Sequence, residues 1–203
     1  YFYIFAKKGI FPKIKSFYPH TQKCTSLSCS NINLYKAYSS FSFSDGTTSV
    51  FMIEKVDGKV EYNLMDTFNI ILVYSEIYND ENTNELYNNL VTFRSENKSA
   101  SVFSKQFNEV IICYHELLQF ILVRDFVKRE NVRIIGINFF PYCLSINSSG
   151  KFIVIGTKEG MLVFIPDGEK KYYYNYCEPS FYKGHYDTIQ SLQFSHDSRL
   201  LFS

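Results

Sequence analysis

Apolar residues recur along this chain in runs too short for most helices and too regular for loops. "VFMIEKV", "FNIILVYSE", "EVIICY", "LLQFILVRDF", "VRIIGINF", "FIVIGT" and "MLVFI" are rich in Val, Ile, Phe and Tyr, and most are bounded by Gly, Asn, Ser or Asp. That composition and punctuation predict β-strands. No segment sustains a helical 3.6 period over a dozen residues. Residues 107–127 come closest, but the run is apolar on all sides and β-branched, and "CYHE" interrupts it where a hairpin would turn, so two strands are predicted there.

The strands repeat. "LSINSSGKFIVI" (Leu144 to Ile155) aligns without gaps on "LQFSHDSRLLFS" (Leu192 to Ser203) at an offset of 48. Both read strand, polar turn, strand. "VFSKQFNEVIICYHELLQFIL" fits "SINSSGKFIVIGTKEGMLVFI" at an offset of 43, which places Glu116 on Glu159 and Leu122 on Ile165. Near the start, "SFYPHTQKCTSLSCSN" repeats "SFYKGHYDTIQSLQFSH", with Ser16 on Ser180 and Cys29 on Phe194. A unit of 43 to 48 residues with about four short strands has the spacing of a propeller blade.

At these residues the chain resembles the WD-repeat β-propeller family. Gly184 and His185 precede an apolar strand with Ile189, Leu192 and Phe194; the turn Ser195-His196-Asp197-Ser198 follows, then Leu200 and Leu201. "SDGTTSVF" is similar to the family's turn and strand ending in Trp, with Phe51 in the Trp place. Leu122 and Ile165 take that place in the next copies. No Trp-Asp pair occurs, and Gly-His is complete once, so the family's Ser/Thr-His-Asp-Trp hydrogen-bond set is incomplete in every unit. The architecture is still expected to hold, because a blade is held mainly by sheet-to-sheet apolar packing.

The resemblance implies an all-β fold, a partial propeller of about three blades plus the start of another. The expected units are 16–65, 99–138, 139–180 and a truncated 181–203. Between Cys29 and Phe103 the separation of 74 fits neither one unit nor two, so 66–98 is either a long insertion or a degenerate blade, with the insertion favoured. "KVEYNL", "FNIILVYSE" and "LVTFR" are predicted strands there, beside the acidic, Asn-rich "YNDENTNELYNN". By the same offset the last unit would continue past Ser203, and the chain begins at Tyr1 without Met; both lead to the expectation of a fragment.

Charge narrows the function classes. With 21 basic and 20 acidic residues the formal net charge is +1, so no overall field draws the chain to nucleic acid or anionic lipid. The balance is local, with eight Lys against three acids in 1–60 and two basic residues against seven acids in 61–98. Five Cys, three of them inside apolar runs, suit reduced thiols better than a disulfide framework. Cys24 and Cys29 lack zinc spacing, so no metal and no cofactor are expected. No apolar run reaches the roughly 18 residues of a membrane helix. The sequons at Asn97 and Asn147 are read as chance.

Candidate chemistry reduces to structure at each place. Consecutive Ser195, His196 and Asp197 cannot relay a proton, so "SHD" is read as a turn. His185 with Asp187 could form a base and its orienter, but no nucleophile accompanies them, and the resemblance implies that Gly184 and His185 are structural, with the His partners beyond Ser203. "KKGIFPKIKSFY" interleaves Lys and aromatics but has no Arg, so nucleic acid is not the expected partner. "GTKEG" lacks the phosphate-loop ending and is read as a β-turn. No catalytic residue is assigned.

What the resemblance implies is a non-catalytic protein-binding scaffold of a larger assembly, in the cytoplasm, with its partners on the rim loops. Lys158, Glu159, Tyr186 and Asp187 are expected to share one face of that rim. Divergent propellers also resemble those of ciliary and cytoskeletal assemblies, a group no residue here singles out. Two other readings stay open: a propeller enzyme whose site lies in further blades, and a nucleic-acid-binding adaptor.

Overall fold

The computed structural model describes residues 23–78, 97–105, 107–150, 152–166 and 179–203. Strands β1 (Cys24–Asn31), β2 (Lys36–Phe43), β3 (Thr47–Val56) and β4 (Lys59–Asn69) form the first sheet, and helix α1 (Ile70–Tyr78) follows. The second sheet holds β5 (Ser99–Phe103), β6 (Val110–His115), β7 (Phe120–Asp125) and β8 (Glu130–Gly136). The third holds β9 (Pro141–Ile146), β10 (Phe152–Thr157), β11 (Met161–Pro166) and β12 (Ser180–Lys183). The short pair β13 (Gln193–Phe194) and β14 (Leu201–Phe202) comes last.

Every strand pairs antiparallel with its successor, so each sheet is a meander without crossovers. The sheets meet most closely through their first strands, β1, β5, β9 and β13. This is an all-β partial β-propeller: three four-stranded blades and the start of another among the described residues. Hairpins β6–β7 and β10–β11 are the middle strands of neighbouring blades, as the strand pattern predicts.

Blade stacking explains why residues 107–127 show no alternation of apolar and polar positions. In β6, Ile111 and Cys113 face the core shared with the first sheet, while Val110, Ile112 and Tyr114 face the core shared with the third. In β7, Phe120 and Leu122 divide from Ile121 and Val123 in the same way. A strand covered on both faces needs apolar side chains at every position, so the period of two disappears. The turn falls at Glu116–Gln119, so of "CYHE" only Glu116 lies in it, and Cys113, Tyr114 and His115 end β6.

The two seams differ in chemistry. Between the second and third sheets, Ile112, Ile121 and Val123 meet Ile146, Ile153, Ile155, Val163 and Ile165, an aliphatic contact worth about 1.5–3 kcal/mol per fully buried side chain. Between the first and second, Ser40 and Ser42 stand at the β2 positions that match Ile112 and Tyr114 of β6. Their hydroxyls each lie 2.9 Å from Ser101 Oγ, and Ser42 Oγ is 3.1 Å from Thr48 Oγ1. Because every hydroxyl here finds a partner, the polar patch can be buried without an unpaired donor. Aromatic packing completes this seam, with Phe126 edge-on to Tyr38 at 4.8 Å and to Phe103 at 5.7 Å.

Two features depart from the sequence reading. "FNIILVYSE" is not one strand: Phe68 and Asn69 end β4, and Ile70–Tyr78 is helical. Asn69 caps it, its Oδ1 accepting from the Ile71 and Leu72 amides at 2.9 and 3.3 Å, while Ile70, Ile71 and Val73 are buried between the first two sheets. Second, the residue opposite Ile111 is Arg124, not Leu122. Phe51 and Ile165 hold the matching positions in the other sheets, opposite Ser39 and Ile153. The β5–β6 connection and the β6–β7 turn, Glu116–Gln119, are each a residue longer than their counterparts between β9 and β10 and at Lys158–Gly160, which displaces an ungapped alignment by two positions. Arg124 reaches the first sheet, its Nε 2.7 Å from Asp66 Oδ2, its guanidinium 4.7 Å over the Phe68 ring. The sequons agree with their reading as chance: Asn97 and Asn147 are buried, and Asn147 Nδ2 donates to Ser149 Oγ at 2.8 Å. "LVTFR", all but the first residue of "YNDENTNELYNN", "KKGIFPKIKSFY" and Cys177 lie outside the described residues.

The cysteines carry a simple prediction. Cys24 and Cys29 are exposed, whereas Cys113 is buried and desolvation raises its pKa strongly; the half-buried Cys143 thiol is pushed up to about 11. Since the thiolate is the reactive form, a thiol reagent near neutral pH is expected to label Cys24 and Cys29 in the native protein and Cys113 only after unfolding. Native labelling of Cys113 would contradict the two-sided burial of β6.

Candidate protein-binding rim

The turns β2–β3, β6–β7 and β10–β11 emerge at one end of the sheets, together with the connections from one sheet to the next. Gly160 organises the third of these turns. Its φ of +77° suits glycine, and a Cβ there would lie 2.2 Å from the His185 carbonyl oxygen. The bare backbone lets the Gly160 carbonyl accept from the Gly184 and His185 amides at 3.1 and 3.0 Å. Ile189 N donates to Thr157 O at 3.1 Å, and Thr188 Oγ1 donates to Lys158 O at 3.1 Å. The Gly-His loop is thereby stitched to the β10–β11 turn.

This brings the four expected rim residues to one end, where each has a different environment. Tyr186 is 99% exposed, with Lys183 Nζ 5.6 Å from its ring centroid. Asp187 is exposed and its Oδ1 accepts from the Thr188 amide at 2.6 Å. Glu159 is exposed and shares the Phe140 amide between its two oxygens at 3.3 Å. Lys158 is half-buried and pairs across the seam with Glu116 Oε2 at 3.5 Å. The repeat alignment put Glu116 opposite Glu159, yet nothing in it showed that Glu116 would meet Lys158. That contact depends on the second and third blades standing side by side.

His185 Nε2 lies 2.6 Å from Ser203 Oγ, so it finds a partner within the chain, where the resemblance implied partners beyond Ser203. With Asp187 Oδ1 engaged by its neighbouring amide, no base-and-orienter pair is formed by these bonds. The "SHD" segment is a turn: Ser195 Oγ donates to Asp197 Oδ1 at 2.6 Å and Ser198 N to Ser195 O at 2.9 Å. "GTKEG" is likewise the β10–β11 turn. Among the described residues, no group of three or more His, Cys, Asp or Glu is placed to hold a metal ion, and no helix is long and apolar enough to cross a membrane.

Among solved structures the fold has a counterpart. Raptor from Chaetomium thermophilum superposes with a TM-score of 0.56 at 12% sequence identity, over 87% of this chain and 14% of that one. At that identity the likeness shows the fold alone. The chain spans about a seventh of Raptor's length. No family model and no curated protein matches.

Proposed function

We propose that the chain is part of a WD-repeat-type propeller that acts as a non-catalytic, protein-binding scaffold in a cytoplasmic assembly, with the rim around Tyr186 as a contact surface. The observation that carries this reading is a fully exposed tyrosine on a loop whose backbone is tied down at both ends. A rigid aromatic presented in this way offers contact area at low entropic cost, and the flanking Glu159 and Asp187 can select partners by charge.

The geometry also selects the test. Lys158 is unsuitable, because its loss would leave the buried Glu116 without its ion pair. Tyr186 and Glu159 are exposed and hold little of the fold, so Y186A combined with E159Q is expected to weaken partner capture by the full-length protein at least about tenfold, the scale of an interface anchor. The melting temperature should stay nearly unchanged. Capture that is unaffected by this variant, but lost on deletion of "YNDENTNELYNN", would move the binding surface to that segment.

A further inference from the structure

His115 ends β6 at the place where turns from three sheets meet, and it is completely buried. Its Nδ1 accepts from the Leu117 amide at 3.3 Å, which leaves the ring proton on Nε2, 3.3 Å from the Ser44 carbonyl of the β2–β3 turn. One imidazole therefore closes its own turn and joins the second sheet to the first. We propose that this junction is a proton-sensitive latch, in which protonation of His115 releases the Ser44 turn and loosens the first sheet from the second.

The reason is geometric. A proton arriving from solvent can add only at Nδ1, where it would face the Leu117 N–H, so two donors would point at each other and the ring would have to leave its place. The charged groups around the ring are few and mixed. The β2–β3 turn brings the Ser44 carbonyl and Asp45, both favouring an imidazolium; the β10–β11 turn brings Lys158, which opposes it and is itself paired with Glu116 of the β6–β7 turn. Strand β5 brings Ser99 opposite His115, with Lys98 beside it turned onto the Tyr142 ring at 3.6 Å. From α1, Ile70, Ile71 and Val73 reach this seam, and Glu76 is exposed. Burial is the largest influence, and it holds the His115 pKa below its ordinary value. The unfolded or opened ring binds its proton more readily than the closed one. Stability from the latch is thus complete above about pH 6.5, the unperturbed imidazole value, and is lost as pH falls below it.

Amide exchange of segments 44–47 and 116–119 in the full chain, corrected for intrinsic chemistry from about pH 7.5 to about pH 5, tests the latch. Protection is expected to fall with a slope approaching tenfold per pH unit below about 6.5, the limit for one proton, while the β9–β10 turn stays unchanged. His115→Gln should abolish the pH dependence. Lys158→Gln removes the opposing charge, which raises the pKa of the closed ring toward that of the opened one, so the fall should begin at the same pH but level off sooner and be smaller in total. Flat protection in the wild type, an equal fall in His115→Gln, or an undiminished fall in Lys158→Gln would each overturn the proposal.

Discussion

Replacing Arg124 with leucine is expected to destabilise the protein by about 3–5 kcal/mol, the usual cost of removing one partner from a buried ion pair. Asp66 is 4% exposed, and Arg124 supplies both of its guanidinium contacts, at 2.7 and 3.4 Å. Without them the carboxylate is left without its guanidinium partner between two sheets. Arg124 also donates to Asn131 Oδ1 at 2.7 Å and lies over Phe68, so packing and hydrogen bonding are lost together. The third sheet carries fully buried Ile165 at the corresponding position, which shows that the fold accepts an aliphatic residue there. Joint replacement, R124I with D66L, is therefore expected to recover most of the loss. Denaturant unfolding of the single and double variants measures this. A double variant no more stable than R124L would mean that Arg124 acts through its packing and not through the pair.

Gly160→Ala is expected to have the second large effect, and to act on the rim as well as on stability. An alanine held at φ +77° costs about 1–3 kcal/mol from backbone strain. The new methyl group would also sit 2.2 Å from the His185 carbonyl oxygen and 3.0 Å from that of Asp187. Neither atom can yield without breaking the bonds from Gly184 and His185 to the Gly160 carbonyl. A lowered melting temperature, with faster exchange at the Gly184, His185 and Ile189 amides, is the expected outcome, and partner capture should weaken because Tyr186 loses its fixed platform. Unchanged exchange at those amides would show that the loop is held by other contacts. By comparison, Gly58 has a similar positive φ but nothing within 4 Å of its Cβ position, so alanine there should cost only the backbone term.

The repeat spacing, the short apolar runs and the Gly-His loop made the all-β propeller architecture legible from the residues alone. Each of these is a local property. Strand propensity, turn glycines such as Gly46 and Gly160, and polar hairpin tips act over a few positions, and repetition of one unit reveals itself without any knowledge of the contacts between units. That the Gly-His loop and the "KEG" turn share one end was expected from the family resemblance alone, since Gly-His is complete only once in this chain.

What one blade presents to the next was decided by the tertiary structure. The alignment assigned Leu122 to the place that strand pairing gives to Arg124, since one-residue differences in two successive loops are invisible until the strands are hydrogen-bonded. The helix at Ile70–Tyr78 looks like a strand because its nine residues, six of them β-branched or aromatic, are too few to display a helical period. It is helical because Asn69 caps it and the groove between two sheets buries its Ile70, Ile71 and Val73 side chains. Ser40, Ser42 and Ser101 read as ordinary polar strand positions, yet they are buried together. His115, Glu116 and Lys158 sit far apart in sequence or without mutual spacing, and only the side-by-side placement of three blades turns them into contacts. Periodicity reports which face of a strand is covered; it carries no information about which residue does the covering, because that depends on how separate sheets are set against one another.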